Sequence, residues 1–452
     1  MTGAIVWLRD DLRLSDNPAL RAAIDHGGDV TVVVVLDEQS PGLRPIGAAS
    51  RWWLHQSLTA LDADLRERGS RLVLRRGAAA TVIDQLVADT GAAAVYWNRR
   101  YGAVERDIDA GIKTALHDRG VEAHSFAANL LWEPWTVLTG QGEPYKVFTP
   151  FWNAVQALPE PRHPLPDPDD LPAPADVTGD ALADWALLPT KPDWAGGLRD
   201  AWTPGEHGAQ QQLEHFVEHA LEDYDQRDEP AMEATSSLSP FLRWGEISPY
   251  QVWHRLHERL EPAQRQNAAA FLRQLAWREF NWNEYFHCDD IATVNVRRNF
   301  DAFPWRDPEA AELDRWRQGL TGFDLVDAGM RELWHSGAMH NRVRLAAGSF
   351  LVKNLLVDWR VGEQWFWDTL VDADPANNAA NWQWVAGSGF DAAPYFRVFN
   401  PDTQRKKFDK HDQYVREWAP EYLGENPPEP MVDLGETRRR ALDAYAETRH
   451  GH

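Results

Sequence analysis

The sequence predicts a doubly wound parallel-sheet α/β domain followed by an all-α domain. Three observations carry this prediction. Short Val-rich apolar runs alternate with helical patterns over the first 130 residues, a proline-rich stretch crosses 159–174, and amphipathic helical periodicity persists from about Gly205 onward. Strands covered by helices on both faces read as unbroken apolar runs rather than alternating ones, which is the pattern seen here.

Taken in order, the runs Ala4–Leu8, Val30–Leu36, 72–74 and 92–97 are expected to be parallel strands, with a fifth over 121–126. A helix is expected over 50–68, where Trp52, Trp53, Leu54, Leu58 and Leu61 recur at helical spacing. No G-x-G-x-x-G follows the first strand, so the usual dinucleotide fingerprint is missing from this domain. The seven prolines of 159–174 exclude helix and central strand and predict an extended linker. Beyond it Leu213, Phe216, Val217, Ala220 and Leu221 form one amphipathic face, and further helices are expected over 249–260, 267–286, 325–336, 341–358 and 362–370. The predicted organisation is an α/β domain over 1–130, an interdomain linker over 131–204 and a helical ligand-binding domain over 205–452.

Composition limits the function classes. One cysteine, Cys288, leaves no internal disulfide framework and suits a reducing compartment. The N-terminus has no basic-then-apolar signal pattern, and no apolar run reaches membrane-spanning length, so a cytoplasmic protein is expected. A net charge of −23 argues against indiscriminate nucleic-acid binding, although positive residues gather between Arg342 and Lys410. Twenty-three tryptophans are the compositional outlier, supplying packing area, stacking faces and easily oxidised rings.

Most of the functional signal lies in 372–401, DADPANNAANWQWVAGSGFDAAPYFRVFNP. Adjacent asparagines beside two acids are costly to bury without polar partners, and the aromatic density suits a large flat ligand. Three further polar elements stand out: the hydroxyl cluster Thr235-Ser236-Ser237-Leu238-Ser239-Pro240, the run Trp277-Arg278-Glu279-Phe280, and Met339-His340-Asn341-Arg342-Val343-Arg344. The hydroxyls at a helix start offer a phosphate seat, with a plain N-cap as the alternative. Arg344 is available to an acid such as Asp372.

With Trp7-Leu8-Arg9-Asp10-Asp11-Leu12-Arg13, Tyr145–Phe151, Trp382–Trp384 and Phe396-Arg397-Val398-Phe399-Asn400-Pro401, these motifs run nearly end to end in an order that resembles the photolyase/cryptochrome family. The resemblance is greatest to the class I cyclobutane pyrimidine dimer DNA photolyases. It implies FAD in the helical domain and light-driven splitting of cyclobutane dimers in UV-damaged DNA by electron transfer from excited, reduced flavin. By position, Tyr224, Thr235, Ser236, Leu238 and Ser239 correspond to pyrophosphate and ribose contacts. Arg278, Asn341, Arg344, Asp372, Asp374 and Asn378 correspond to positions around the ribityl chain and isoalloxazine.

Asn378 falls at the position facing flavin N5, where an amide favours the fully reduced anionic flavin because it does not titrate. Trp277 and Trp384 correspond to stacking walls for the dimer, Gln274 and Asn341 to base contacts, and Arg227, Arg342 and Arg397 to phosphate contacts, with Leu345 lining the same pocket. Trp382, Trp359 and Trp305 correspond to the electron-relay tryptophans, Trp305 after a one-residue shift. Three positions depart from the family pattern: Gln274 replaces Glu, Leu345 replaces Met, and Ala338 replaces an aromatic residue. None removes an obligatory group, and the pattern at His340-Asn341 disfavours (6-4) repair.

The competing implication is a cryptochrome-type blue-light receptor without repair activity. The chain stops at His452 without the long extension usual in plant and animal cryptochromes, which favours repair. No metal ligand set is called for, and a monomer is expected. A second, antenna chromophore is expected near Arg51 and the Trp97-Asn98-Arg99-Arg100 turn, with folate, deazaflavin, a second flavin and none all open.

Overall fold

The structure is a computed structural model that describes residues 3–450, apart from 259, 289 and 393–395. Pro394 and Tyr395 of the aromatic segment therefore lie outside the described residues. Five strands, β1 (Ala4–Leu8), β2 (Val30–Leu36), β3 (Leu72–Arg76), β4 (Ala94–Asn98) and β5 (Glu122–Phe126), form one parallel sheet ordered β3-β2-β1-β4-β5. Helices Pro18–His26, Ala48–Glu67, Ala79–Thr90 and Ala103–Asp118 make the crossovers. Asn17 caps the first of these by accepting from the Leu20 N–H at 3.1 Å.

Period two along the strands divides the core between the two faces of the sheet. Ile5, Trp7, Val33 and Val73 pack on one side, while Val6, Leu8, Val32 and Val34 pack on the other. The second side is continuous with Leu213, Phe216, Tyr250 and Leu275 of the helical region, so one apolar core welds the two parts. Polar ties reinforce that seam. Buried Arg13 donates to the carbonyls of Asp16, Ala128 and Gly245, and Glu246 accepts from the indole N–H of Trp53 and the Gly205 N–H. Gly245 adopts φ +64°, and a Cβ there would lie 2.0 Å from the Asp10 carbonyl oxygen, so both conformation and space demand glycine.

Residues 159–174 are extended, as expected, and run along the α/β domain through Asp16 N–H to the Leu165 carbonyl and Leu171 N–H to the Arg68 carbonyl. Between them and β5 lies the helix Phe148–Gln156, whose Phe148 and Phe151 pack on Trp277 and Phe280 of the long helix Gln264–His287.

Two helical expectations differ from what forms. The helix expected over 249–260 ends at Arg255, and the one expected over 341–358 stops at Ser349 and opens into a single wider turn, Phe350–Asn354. Within that turn Lys353 is buried, donates to the Ala386 carbonyl at 2.6 Å and sits over the Phe396 ring. A one-residue widening leaves the apolar pattern nearly unchanged, so periodicity does not reveal it.

Candidate active site

A deep pocket forms where the helices Gln264–His287, Asn341–Ser349, Trp359–Thr369 and Asn377–Ala386 converge on the 235–239 loop. Local caps set these helices in place. The His340 Nδ1 accepts from the Arg342 N–H at 3.2 Å, Asp358 accepts from the Arg360 N–H at 3.0 Å, and Asp374 accepts from the N–H groups of Ala376 and Asn377 at 2.9 and 2.6 Å. Burial pushes the His340 imidazole down to about 4, keeping it a neutral cap.

Most of the residues expected at the cofactor are brought together here. Ser236, Leu238, Ser239, Arg278, Asn341, Arg344, Asp372, Asp374 and Asn378 all line the pocket, with Gln274, Leu345 and Trp382. Tyr224 instead packs edge-on against Phe216 and Phe271, outside the lining, and Thr235 is not part of it either. Sequence reasoning missed other residues of the wall, among them Leu242, Phe271, Phe366 and Asn377. The plain N-cap reading of the hydroxyl cluster does not apply: the helix Ser239–Trp244 has no side-chain cap.

The anticipated ion pair exists. Arg344 Nη2 donates to Asp372 Oδ2 at 2.9 Å and its Nε donates to the Met339 carbonyl at 2.7 Å, while the Ser239 hydroxyl donates to the same Asp372 oxygen at 2.7 Å. Asp372 Oδ1 is buried without a partner. A buried carboxylate oxygen without a partner, in a residue that lines a pocket, is an acceptor suited to a ligand donor. Deeper in, Arg278 donates to Glu279 and to the Asn129 carbonyl, and burial raises the Asp374 carboxyl and pushes that of Glu279 up to about 7.

Asn378 is held in one orientation. Its Nδ2 donates to the Glu363 carbonyl at 3.0 Å and to Glu363 Oε1 at 2.8 Å. Both amide hydrogens are thereby used, so Oδ1 is the group left for a ligand, and it can only accept. Glu363 is fixed in turn by a bidentate pair with Arg44 of the α/β domain, at 2.7 and 2.8 Å. Neither partner was anticipated from sequence. Glu363 sits on a different helix from Asn378 and Arg44 in a different domain, so no local spacing signals the contact.

Trp382 lines the pocket and meets Phe366 edge-on at 4.9 Å and Trp316 at 6.4 Å. Gly362 lies directly behind it, where a Cβ would fall 2.2 Å from the Trp382 ring. Trp359 is fully buried in the same core and donates to Asn295 at 2.9 Å, and Trp305 packs on that core and against Phe303 at 4.2 Å. Trp277 lies outside the lining, with one face stacked on Phe148 at 3.8 Å and 8°. Trp384 donates to the Asp391 carbonyl, and the exposed Arg397 sits 5.8 Å from its ring. Arg342 is paired with Asp228, and Arg227 leans over Tyr224.

A second cavity separates the two parts and is lined by Trp7, Arg44, Arg100, Tyr285 and Trp367 among others. Of the residues expected at an antenna, only Arg100 reaches it. Arg51 is paired with Glu38, Trp97 donates to Asp109, Asn98 donates to Asp11, and Arg99 pairs with Glu133.

Comparison with known proteins finds relatives over nearly the whole chain. Residues 4–172 match the DNA photolyase family, and residues 271–424 match the FAD binding domain of DNA photolyase. A deoxyribodipyrimidine photo-lyase of Agrobacterium fabrum is 48% identical over 98% of this chain and 97% of its own length. Cryptochrome-1 of Arabidopsis thaliana is 34% identical over 98% of this chain and 70% of its own. The crystal structure of a bacterial class III photolyase from Agrobacterium tumefaciens superposes with TM-score 0.94 at 46% identity, covering 99% of this chain and 98% of that one. The sequence reading placed its nearest likeness in class I, whereas this similar structure is of class III.

Proposed function

The chain belongs to the photolyase/cryptochrome family, and on that premise we propose that it is a deoxyribodipyrimidine photo-lyase, a light-dependent enzyme that repairs cyclobutane pyrimidine dimers in DNA. The observation that carries the reading is the locked Asn378 amide beside the Arg344–Asp372 pair, in a pocket that also presents the Ser236 and Ser239 hydroxyls. These residues fit FAD: the open Asp372 oxygen suits a flavin or ribityl donor, and Asn378 Oδ1 suits the N5 hydrogen of reduced flavin.

Held by Arg344, Asp372 and Asn378, reduced FAD would supply the excited-state one-electron chemistry that splits the dimer with no net redox change. The protein contributes position and environment. Arg344 places positive charge beside the ring, and its partner Asp372 keeps that charge compensated. Asn378 accepts without titrating, because an amide holds no exchangeable charge near neutral pH. The dimer is flipped from the duplex at reduced cost because its pairing and stacking are already impaired. Gln274, Asn341 and Leu345 line the pocket that would receive it, with Trp277 and Trp384 as stacking walls and Arg227, Arg342 and Arg397 toward phosphates. Trp382, which touches the pocket, is the first relay for restoring reduced flavin, with Trp359 and Trp305 behind it.

No helix of the described residues is long and apolar enough to cross a membrane, and we place the enzyme in the cytoplasm as a monomer. The interdomain cavity with Arg100 is the candidate antenna seat. The test is a dimer-bearing oligonucleotide illuminated with near-ultraviolet or blue light in the presence of reduced, FAD-loaded protein. Restoration of the pyrimidines is expected, and a dimer left unsplit after prolonged illumination refutes the reading.

A further inference from the structure

We propose that His163, His254 and Glu258 form a site for a divalent first-row transition metal such as Zn²⁺. One ligand atom from each of the three lies within 4.8 Å of the others, the one such grouping of histidine, cysteine and acidic side chains among the described residues. None of the three lines the flavin pocket, and His163 belongs to the proline-rich linker.

The imidazole of His254 is prepared for coordination. The ring is buried, and its Nε2 faces the carbonyls of Pro161 and Arg162 at 3.0 Å each. Two carbonyl oxygens can only accept, so Nε2 carries the hydrogen and Nδ1 of the neutral ring keeps its lone pair. A ligating histidine held by a backbone carbonyl at its other nitrogen is the usual outer support of a metal site, fixing both tautomer and ring angle. The His163 ring stacks on His254 at 4.2 Å and 26°, and His163 and Glu258 are both exposed and free to adjust. Rings that stack nearly parallel present their lone pairs side by side, so closing on one ion requires His163 to tilt.

The charge environment permits a cation. The two guanidinium groups nearest in sequence are committed elsewhere: Arg162 pairs with Asp16 and lies over Tyr250, and Arg255 is bidentate with Glu214. Two imidazoles and one carboxylate are borderline-to-hard donors that favour zinc over magnesium or calcium and leave a fourth position for water. The consequence is mechanical. His163 belongs to the extended linker, His254 to the helix Pro249–Arg255, and Glu258 to the segment just beyond it. A bound ion would fasten the linker to the helical domain at the point where His254 already holds it.

The test uses tag-free, FAD-loaded full-length protein titrated with ZnCl2 by calorimetry, alongside thermal unfolding with and without Zn²⁺. The wild type is expected to take up one equivalent and to unfold at a higher temperature with Zn²⁺ than without, since an ion that binds only the folded state stabilises it. His163→Ala and Glu258→Gln, both at exposed positions, should weaken uptake by at least about tenfold, the lower bound for losing even an outer-shell partner. His219→Ala is the control, because His219 stacks on His215, which contacts Glu233, in a similar-looking group elsewhere. Unchanged uptake in that variant is expected. No uptake by the wild type, uptake that survives His163→Ala, or uptake lost in His219→Ala each overturns the proposal.

Discussion

Replacing Asp372 by alanine tests the flavin seat most directly. The carboxylate is the shared acceptor of Arg344 at 2.9 Å and Ser239 at 2.7 Å, and its second oxygen is buried without a partner in a residue that lines the pocket. Breaking a fully buried pair costs about 3–5 kcal/mol because a charge is stranded. Here Arg344 keeps the Met339 carbonyl at 2.7 Å, and its side chain is 28% exposed, so water relieves part of the loss. The expected cost to folding is therefore about 2 kcal/mol. The cost to FAD binding is separate. Losing a hydrogen bond to a charged acceptor is worth about 1.5–3 kcal/mol, which corresponds to a rise in Kd of about 10- to 150-fold. Urea unfolding reads the first quantity, and titration of folded apoprotein with FAD, followed by flavin fluorescence, reads the second. A folded Asp372→Ala variant that binds FAD as tightly as the wild type would refute the proposed seat.

Three further outcomes are expected. Trp382→Phe should abolish light-driven reduction of oxidised flavin while chemically reduced enzyme still repairs, because only the relay passes through that ring; an unchanged photoreduction yield removes Trp382 from the path. Trp277→Ala should weaken binding to dimer-containing DNA by about 1–3 kcal/mol and binding to intact DNA much less, measured by paired titrations, and an equal loss on both would deny it a stacking role. Burial pushes the Glu246 carboxyl up to about 8, against an ordinary value of 4.5, despite hydrogen bonds from Ser57, Gly205 and Trp53. Between those values the folded state holds a proton that the unfolded state has lost, so stability falls as pH rises through the window, with a limiting slope of about 1.4 kcal/mol per pH unit. Glu246→Gln should flatten that slope in urea unfolding across the pH range, and an unaltered pH dependence would count against it.

The central strands were legible because full burial writes itself as an unbroken apolar run, and β1 and β2 match their runs end to end, whereas the edge strand β5 is neither apolar throughout nor buried. The pocket was legible where its residues cluster along the chain, as in 339–344 and 372–382. What stayed hidden was contact across distance. Nothing beside Asn378 announces Glu363, fifteen positions earlier, and nothing beside Glu363 announces Arg44 in the other domain. Arg51 and the Trp97–Arg99 stretch illustrate the converse: the stretch lies at the end of β4 as expected, whereas Arg51 lies in the helix Ala48–Glu67, and neighbouring acids hold the side chains of both.

The glycine behind Trp382 offers a way to alter an aromatic ring's place without altering the ring. Leu351 and Trp382 both crowd the space that a single methyl at position 362 would claim. Any larger residue there must push the indole toward the pocket or out of its contact with Phe366. Electron tunnelling weakens steeply with separation, so if Trp382 is the donor proposed above, a variant series at 362 would alter photoreduction through the ring's position without changing its residue type. On the proposed relay, the smallest residue of the helix would set the distance between Trp382 and the flavin.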